Sequence, residues 1–266
     1  MIKNFLKSRL PRTQYKRIKS IGLYFISIPF VFNLTRLAII YKSDKGTKHS
    51  YTKHYQSYFR NYKFRKIKLF EIGVGGYHYS DQGGNSLRLW KRYFPFGRIY
   101  SLDIYDKSFF EESRIKIFKG SQTDKGVLDK IIDEIGAPDF IIDDGSHINN
   151  HVIESFMHLF PKLREGGIYV IEDVSTSYWP DYGGDSENLS NPKTIMNFFK
   201  SLTDSLNFQE YLIKDYQPGY YDKHVVSIQF YHNLIFIFKG INDEPSNIDW
   251  NNLESVMTDK LYTDSV

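Results

Sequence analysis

From residue 68 onward, short apolar runs alternate with longer amphipathic stretches, the pattern expected of βαβ units laid on a parallel sheet. The runs predict strands at 68–73, 98–103, 115–119, 139–144 and 167–172, and the intervening periodicity predicts helices at 86–93, 124–135, 150–163 and 192–206. The C-terminal part reads differently. H-V-V-S-I-Q-F-Y and L-I-F-I-F-K are separated only by His232 and Asn233, and two residues make a hairpin but no parallel crossover. The expected fold is α/β, a mostly parallel Rossmann-like sheet with an antiparallel C-terminal hairpin, flanked by helices.

A parallel core closed by an antiparallel edge is the layout of class I methyltransferases more than of dehydrogenases. The division expected along the chain is a basic and apolar N-terminal appendage at 1–40, a catalytic domain at 41–245 and a polar tail at 246–266. Residues 41–51 (Y-K-S-D-K-G-T-K-H-S-Y) are polar and turn-rich and lead into a helix at 51–61. No internal repeat or low-complexity segment interrupts this order.

Charge changes the picture at the N-terminus. The chain has 266 residues and a net charge of +4, yet Lys3, Lys7, Arg9, Arg12, Lys16, Arg17 and Lys19 fall in the first twenty residues without one acid. The remainder holds more acids than bases and no phosphate-binding stripe, which disfavours a nucleic-acid substrate. A basic arm followed by the apolar stretch 21–32 fits a helical appendage packed on the domain or a partner subunit, a peripheral membrane contact, or an export signal. No A-x-A-like cleavage site supports export, and Pro29, Asn33 and Arg36 interrupt the apolar residues before a spanning helix is complete. The absence of cysteine excludes disulfides, thiolate zinc sites and a cysteine nucleophile. A cytoplasmic location follows as the expectation, with peripheral contact at the inner face of the membrane left open.

The candidate chemistry lies at the strand ends. L-F-E-I-G-V-G-G places glycines where a strand must turn sharply beside a ligand. G-x-G-x-x-G would need glycine at position 78, which is His78, so a NAD pyrophosphate site is disfavoured. Glu71, two residues before the first glycine, suits the amino group of a methionine moiety, and Asp103, ending the next strand, suits ribose hydroxyls. Ser121 and Gln122 fall where an adenine edge would lie, with Thr123 or Asp124 as a helix cap beside them. Ser86 reads equally well as the cap of the following helix. Asp144, Glu172 and Asp173 offer hard oxygen ligands at neighbouring strand ends, suited to Mg²⁺. Without a cation, three clustered carboxylates would repel one another. His147, in the Gly-Ser turn after Asp144, is placed to take a proton from a substrate hydroxyl. His49, Tyr178 and Trp179 are the candidate substrate contacts.

Taken in order, S-D-K-G-T-K-H-S-Y, E-I-G-V-G-G-Y, G-G-N-S-L-R, L-D-I, I-D-D-G-S-H-I-N and V-I-E-D resemble the macrolide-sugar O-methyltransferases across 41–184. The resemblance implies S-adenosylmethionine contacts at Glu71, Ile72, Gly73, Val74, Gly75, Gly76, Tyr77, Ser86, Asp103, Ser121 and Gln122. It implies Mg²⁺ or a similar ion on Asp144, Glu172 and Asp173, and His147 as general base. Longer members carry an additional N-terminal domain where this chain has its appendage, so acceptor and oligomeric state do not transfer. The expected activity is metal-dependent methyl transfer to a sugar hydroxyl of a glycoside or polysaccharide, with a homo-oligomer open. The rivals are a cephalosporin-hydroxylase-like oxygenase, although the required two histidines and one carboxylate are not evident, and a non-catalytic cofactor-binding assembly protein.

Overall fold

The computed structural model describes residues 11–246. Helices α1 (Arg12–Ser27), α2 (Leu34–Tyr41), α3 (Asp44–Thr47) and α4 (Thr52–Phe59) precede the first strand. The strands are β1 (Lys68–Ile72), β2 (Arg98–Asp103), β3 (Ile115–Lys119), β4 (Phe140–Asp143), β5 (Ile168–Glu172), β6 (Val225–Tyr231) and β7 (Leu234–Lys239). Between them run α5 (Asn85–Tyr93), α6 (Lys125–Ile135), α7 (Asn149–Leu159), α8 (Ile195–Ser205) and α9 (Tyr220–His224).

The seven strands form one sheet in the order β3-β2-β1-β4-β5-β7-β6, parallel except for β7 and β6. The expected strands and closing hairpin are therefore borne out. The order reverses between β1 and β4, and in such sheets the crevice beyond the carboxyl ends at that point receives ligands.

Alternation along each strand fills two cores. Leu69, Ile99, Phe140, Ile142, Val170 and Phe236 face α2, α4 and α5, whereas Phe70, Leu102, Ile141, Tyr169, Ile171 and Ile235 face α6, α7 and α8. Pro161 explains why the helix expected to reach 163 stops earlier. At Leu159 α7 gives way to the 3-10 turn Phe160–Lys162, since proline has no amide to continue the ladder. Helix α8 starts at Ile195, later than expected, because the Thr194 hydroxyl accepts the Asn197 amide as its cap.

The N-terminal region divides differently from its hydrophobic pattern. Helix α2 straddles residue 40, and Leu34, Leu37 and Ala38 are wholly buried in the first core. The apolar stretch 21–32 instead leaves Ile21, Phe25, Ile26 and Phe32 exposed. It is anchored through Leu23 and through Ser27, whose Oγ accepts the Arg92 guanidinium at 2.7 Å. The tail from residue 247 lies outside the described residues.

Helix α4 ties this region to the sheet. Phe59 is wholly buried, stacks on Phe140 at 4.3 Å between ring centroids, and meets Trp90, Phe94 and Tyr55. Phe59→Ala is expected to lower stability by about 3–5 kcal/mol, read as a shift in the denaturant midpoint at constant slope.

Candidate active site

The crevice is built by backbone crowding at the ends of β1 and β4. Gly73 sits at φ +97°, and a Cβ there would lie 2.1 Å from the Asp144 carbonyl oxygen. Only glycine permits both the conformation and the approach. Asp103 holds the ensuing turn, accepting the Val74 amide at 3.0 Å and the Tyr105 amide at 2.9 Å. Across the crevice, the Gln122 Oε1 accepts the Ser146 amide at 2.8 Å, and its Nε2 donates to Ser155 and Asp143. Gln122 thus braces the turn that carries Asp144 and His147. Asp143 lies beneath as an internal brace, its pKa pushed up to about 7 by burial.

Behind the rim is a buried ionic knot. The Lys45 ammonium lies 2.7 Å from Asp144 Oδ2, 2.7 Å from Glu172 Oε2 and 3.2 Å from Glu71 Oε1. Burial opposes its charge, but the three carboxylates outweigh burial and raise its pKa well above the usual lysine range. Tyr55 donates its hydroxyl to the other oxygen of Glu172, and Ser86 donates to Glu71 Oε2 at 3.0 Å. Burial pushes Glu71 up to about 7 despite Lys45. Glu172 is raised by the same desolvation and by Asp144 beside it.

On the cleft side, Asp144, His147 and Asp173 each offer a ligand atom, all within 4.8 Å of one another. His147 Nε2 is 3.8 Å from Asp144 Oδ1 and 3.9 Å from Asp173 Oδ2. Asp173 also accepts the Tyr51 hydroxyl at 2.6 Å, and His49 Nδ1 is 3.5 Å from it. His147 and Asp173 both have left-handed backbone, at φ 57° and 53°. Non-glycine residues hold such conformations where surrounding structure enforces them, commonly at functional sites. Two carboxylates and an imidazole form a donor set fit for a hard divalent ion.

One cleft of about 1360 Å³ joins the glycine turn to this rim. Its wall includes Ile72, Gly73, Val74, Gly75, Gly76, Tyr77, Ser86, Asp103, Ser121, Gln122, Asp144, His147, Asp173 and His49. Glu71 and Glu172 stand behind the wall, bonded to Lys45, rather than lining it. Ser86 is the second residue of α5 and bonds Glu71 rather than capping the helix. Tyr178 and Trp179 are half-exposed and lie outside the lining, whereas Tyr182, T-shaped against Trp179, is within it.

Lys45, Tyr51 and Tyr55 were not among the residues expected at the site, nor were Ser20 and Leu23 of α1, which line the cleft. Residues 41–51, read as a polar loop, contain α3 and bury Lys45 completely. The four-residue spacing of Tyr51 and Tyr55, which brings them to one helical face, was the available signal.

No protein-family model matches the chain. Demethylmacrocin O-methyltransferase from Streptomyces fradiae is 48% identical over 221 residues, covering 82% of this chain and 56% of that protein. 8-Demethyl-8-alpha-L-rhamnosyl tetracenomycin-C 2'-O-methyltransferase from Streptomyces olivaceus is 42% identical over 79% of this chain and 55% of its own length. The MycE methyltransferase of the mycinamycin pathway, solved with Mg, SAH and mycinamycin VI, superposes with TM-score 0.80 at 44% identity. The match covers 86% of this chain and 59% of MycE. By sequence and fold, this chain belongs with the macrolide-sugar O-methyltransferases. It spans a little over half the length of these relatives.

The brace under the turn that carries Asp144 and His147 can be tested directly. Gln122→Ala leaves the Ser146 amide without its acceptor and is expected to cost about 1–3 kcal/mol, read by chemical denaturation.

Proposed function

We propose that this chain transfers a methyl group from S-adenosylmethionine to a sugar hydroxyl of a glycoside or polysaccharide, with Mg²⁺ or a similar ion at the rim. The observation that carries this reading is the continuity of the cleft, in which the glycine turn and Asp103 share one wall with Asp144, His147 and Asp173. The Mg and SAH bound together in MycE, and the rhamnosyl acceptor in the name of the tetracenomycin enzyme, support the donor, the ion and the acceptor class.

In this reading the donor runs along residues 71–77, with its amine toward Glu71 and its ribose on Asp103. Its adenine lies near Ser121 and Gln122. Asp144 and Asp173 hold the ion from the cleft side, and Glu172 supports it from behind. A bound divalent ion would supply Lewis acidity, making an acceptor hydroxyl easier to deprotonate. His147 takes that proton, and the rigid turns at both strand ends hold the acceptor oxygen and the donor methyl in line. His49 flanks the acceptor, while Tyr178 and Trp179 are assigned its outer, solvent-facing part. No observation favours an oxygenase or a non-catalytic binder. The rim cluster has one histidine with two carboxylates, the reverse of the two-histidine triad.

Labelled S-adenosylmethionine with rhamnosyl acceptors should give EDTA-sensitive methyl transfer. His147→Ala should lower kcat by about 10²–10⁴-fold, with S-adenosylhomocysteine affinity retained in calorimetry. Turnover indifferent to EDTA would remove the ion from the mechanism.

The acceptor's source is suggested by α1. No helix among the described residues is long and apolar enough to cross a membrane. Yet α1 exposes Ile18, Ile21, Tyr24, Phe25 and Ile26, beside a basic first twenty residues. An exposed apolar helix face in a segment whose sequence is rich in Lys and Arg fits an anionic membrane surface. The same helix lines the cleft through Ser20 and Leu23, so an acceptor carried at that surface would meet the site directly. The full chain should co-sediment with phosphatidylglycerol vesicles and not with phosphatidylcholine ones, and Ile21→Glu with Phe25→Glu should abolish it. A concentration-dependent dimer without vesicle binding would assign the face to a second copy instead.

A further inference from the structure

Lys45 has no part in the reading above, although it is wholly buried. A lysine in a polar, turn-rich segment ordinarily keeps its ammonium in water. Here the ammonium is enclosed at the ends of three adjacent strands, against Glu71 at β1, Asp144 beyond β4 and Glu172 at β5. Its contacts are selective. It takes Oδ2 of Asp144 and leaves Oδ1 toward His147. It takes Oε2 of Glu172, whose Oε1 is held by Tyr55. On Glu71 it meets the oxygen that Ser86 does not hold.

We propose that Lys45 is a positioning residue whose fixed charge orients Asp144 and Glu172, joins them to Glu71, and weakens by repulsion the cation seat that Asp144 shares with Asp173. The inference rests on the divalent-ion reading of the rim. Four acids within one site would otherwise bind a divalent cation tightly enough to resist exchange. One resident ammonium lowers that field without occupying the cleft, because it reaches the acids from behind. It also makes the donor's acid and the cation's acids one electrostatic unit, so a change at either site is felt at the other.

The test is a Mn²⁺ titration of the full chain by electron paramagnetic resonance, at fixed ionic strength, for wild type, Lys45→Gln and Lys45→Met. Both substitutions remove the charge, and only glutamine keeps hydrogen-bond donors. The proposal expects both variants to bind Mn²⁺ about tenfold or more tighter than wild type. A variant that melts early alone but regains wild-type melting temperature with Mn²⁺ supports it equally, since the ion then supplies the missing positive charge. Unchanged or weaker Mn²⁺ binding in both variants overturns it, as does rescue by glutamine alone, which would make Lys45 a hydrogen-bonding strut. A chain that stays unfolded at saturating Mn²⁺ overturns it too. Wild type that binds no Mn²⁺ would instead remove the divalent-ion reading beneath it.

Discussion

The buried carboxylates of Glu71 and Glu172, with the cleft-lining Asp144 beside them, require a cation among them, and Lys45 provides one. The sheet order fixes this demand, because β1, β4 and β5 lie side by side and bring Glu71, one residue before the end of β1, Asp144, just past β4, and Glu172, the last residue of β5, to one edge. Removing one partner from a buried ion pair costs about 3–5 kcal/mol, a large share of the roughly 5–15 kcal/mol that stabilises a domain. The segment that carries Lys45 therefore cannot remain a loose loop. It must fold across the carboxyl ends of the strands, and Tyr51 and Tyr55 follow it there to bond Asp173 and Glu172.

This placement makes the N-terminal region part of the cleft. Helix α2 is buried against the core, α3 delivers Lys45 and α4 stacks Phe59 on Phe140. Part of the cleft wall is the glycine turn, where Gly73 packs closely on the Asp144 carbonyl. Residues that precede β1, including His49 and Leu23, also line the cleft. The cleft wall therefore draws on different parts of the chain, which one buried ion cluster ties together.

The sheet was legible because fully buried strands leave continuous apolar runs and a two-residue loop admits only a hairpin, so β1 to β7 fall where the runs do. The acids and His147 were legible because parallel strands deliver their C-terminal residues to one edge, as they do for Asp103, Asp144 and Asp173. Other features depend on distance in space that local pattern does not encode. Lys45 sits in a sequence of lysines, serines and glycines whose periodicity says nothing of burial. Its burial follows from carboxylates up to 127 positions away. Nor does the strength of an apolar run say which residues enter the core, since apolar residues on α1 face outward while modest Leu34, Leu37 and Ala38 fill it. Gln122, read as an adenine contact, has its amide already engaged by Ser146, Asp143 and Ser155, a bracing role that spacing alone did not reveal.

In the proposed reaction a divalent ion and the donor sulfur meet at one rim of this sheet. Diffraction from crystals grown with Mn²⁺ and S-adenosylhomocysteine tests it most directly, because manganese is located by its anomalous signal. The manganese peak is expected between the Asp144 and Asp173 carboxylates, with the ribose on Asp103 and the sulfur facing the side of the ion where His147 stands. A manganese peak remote from Asp144 and Asp173, or a sulfur turned away from them, would contradict it.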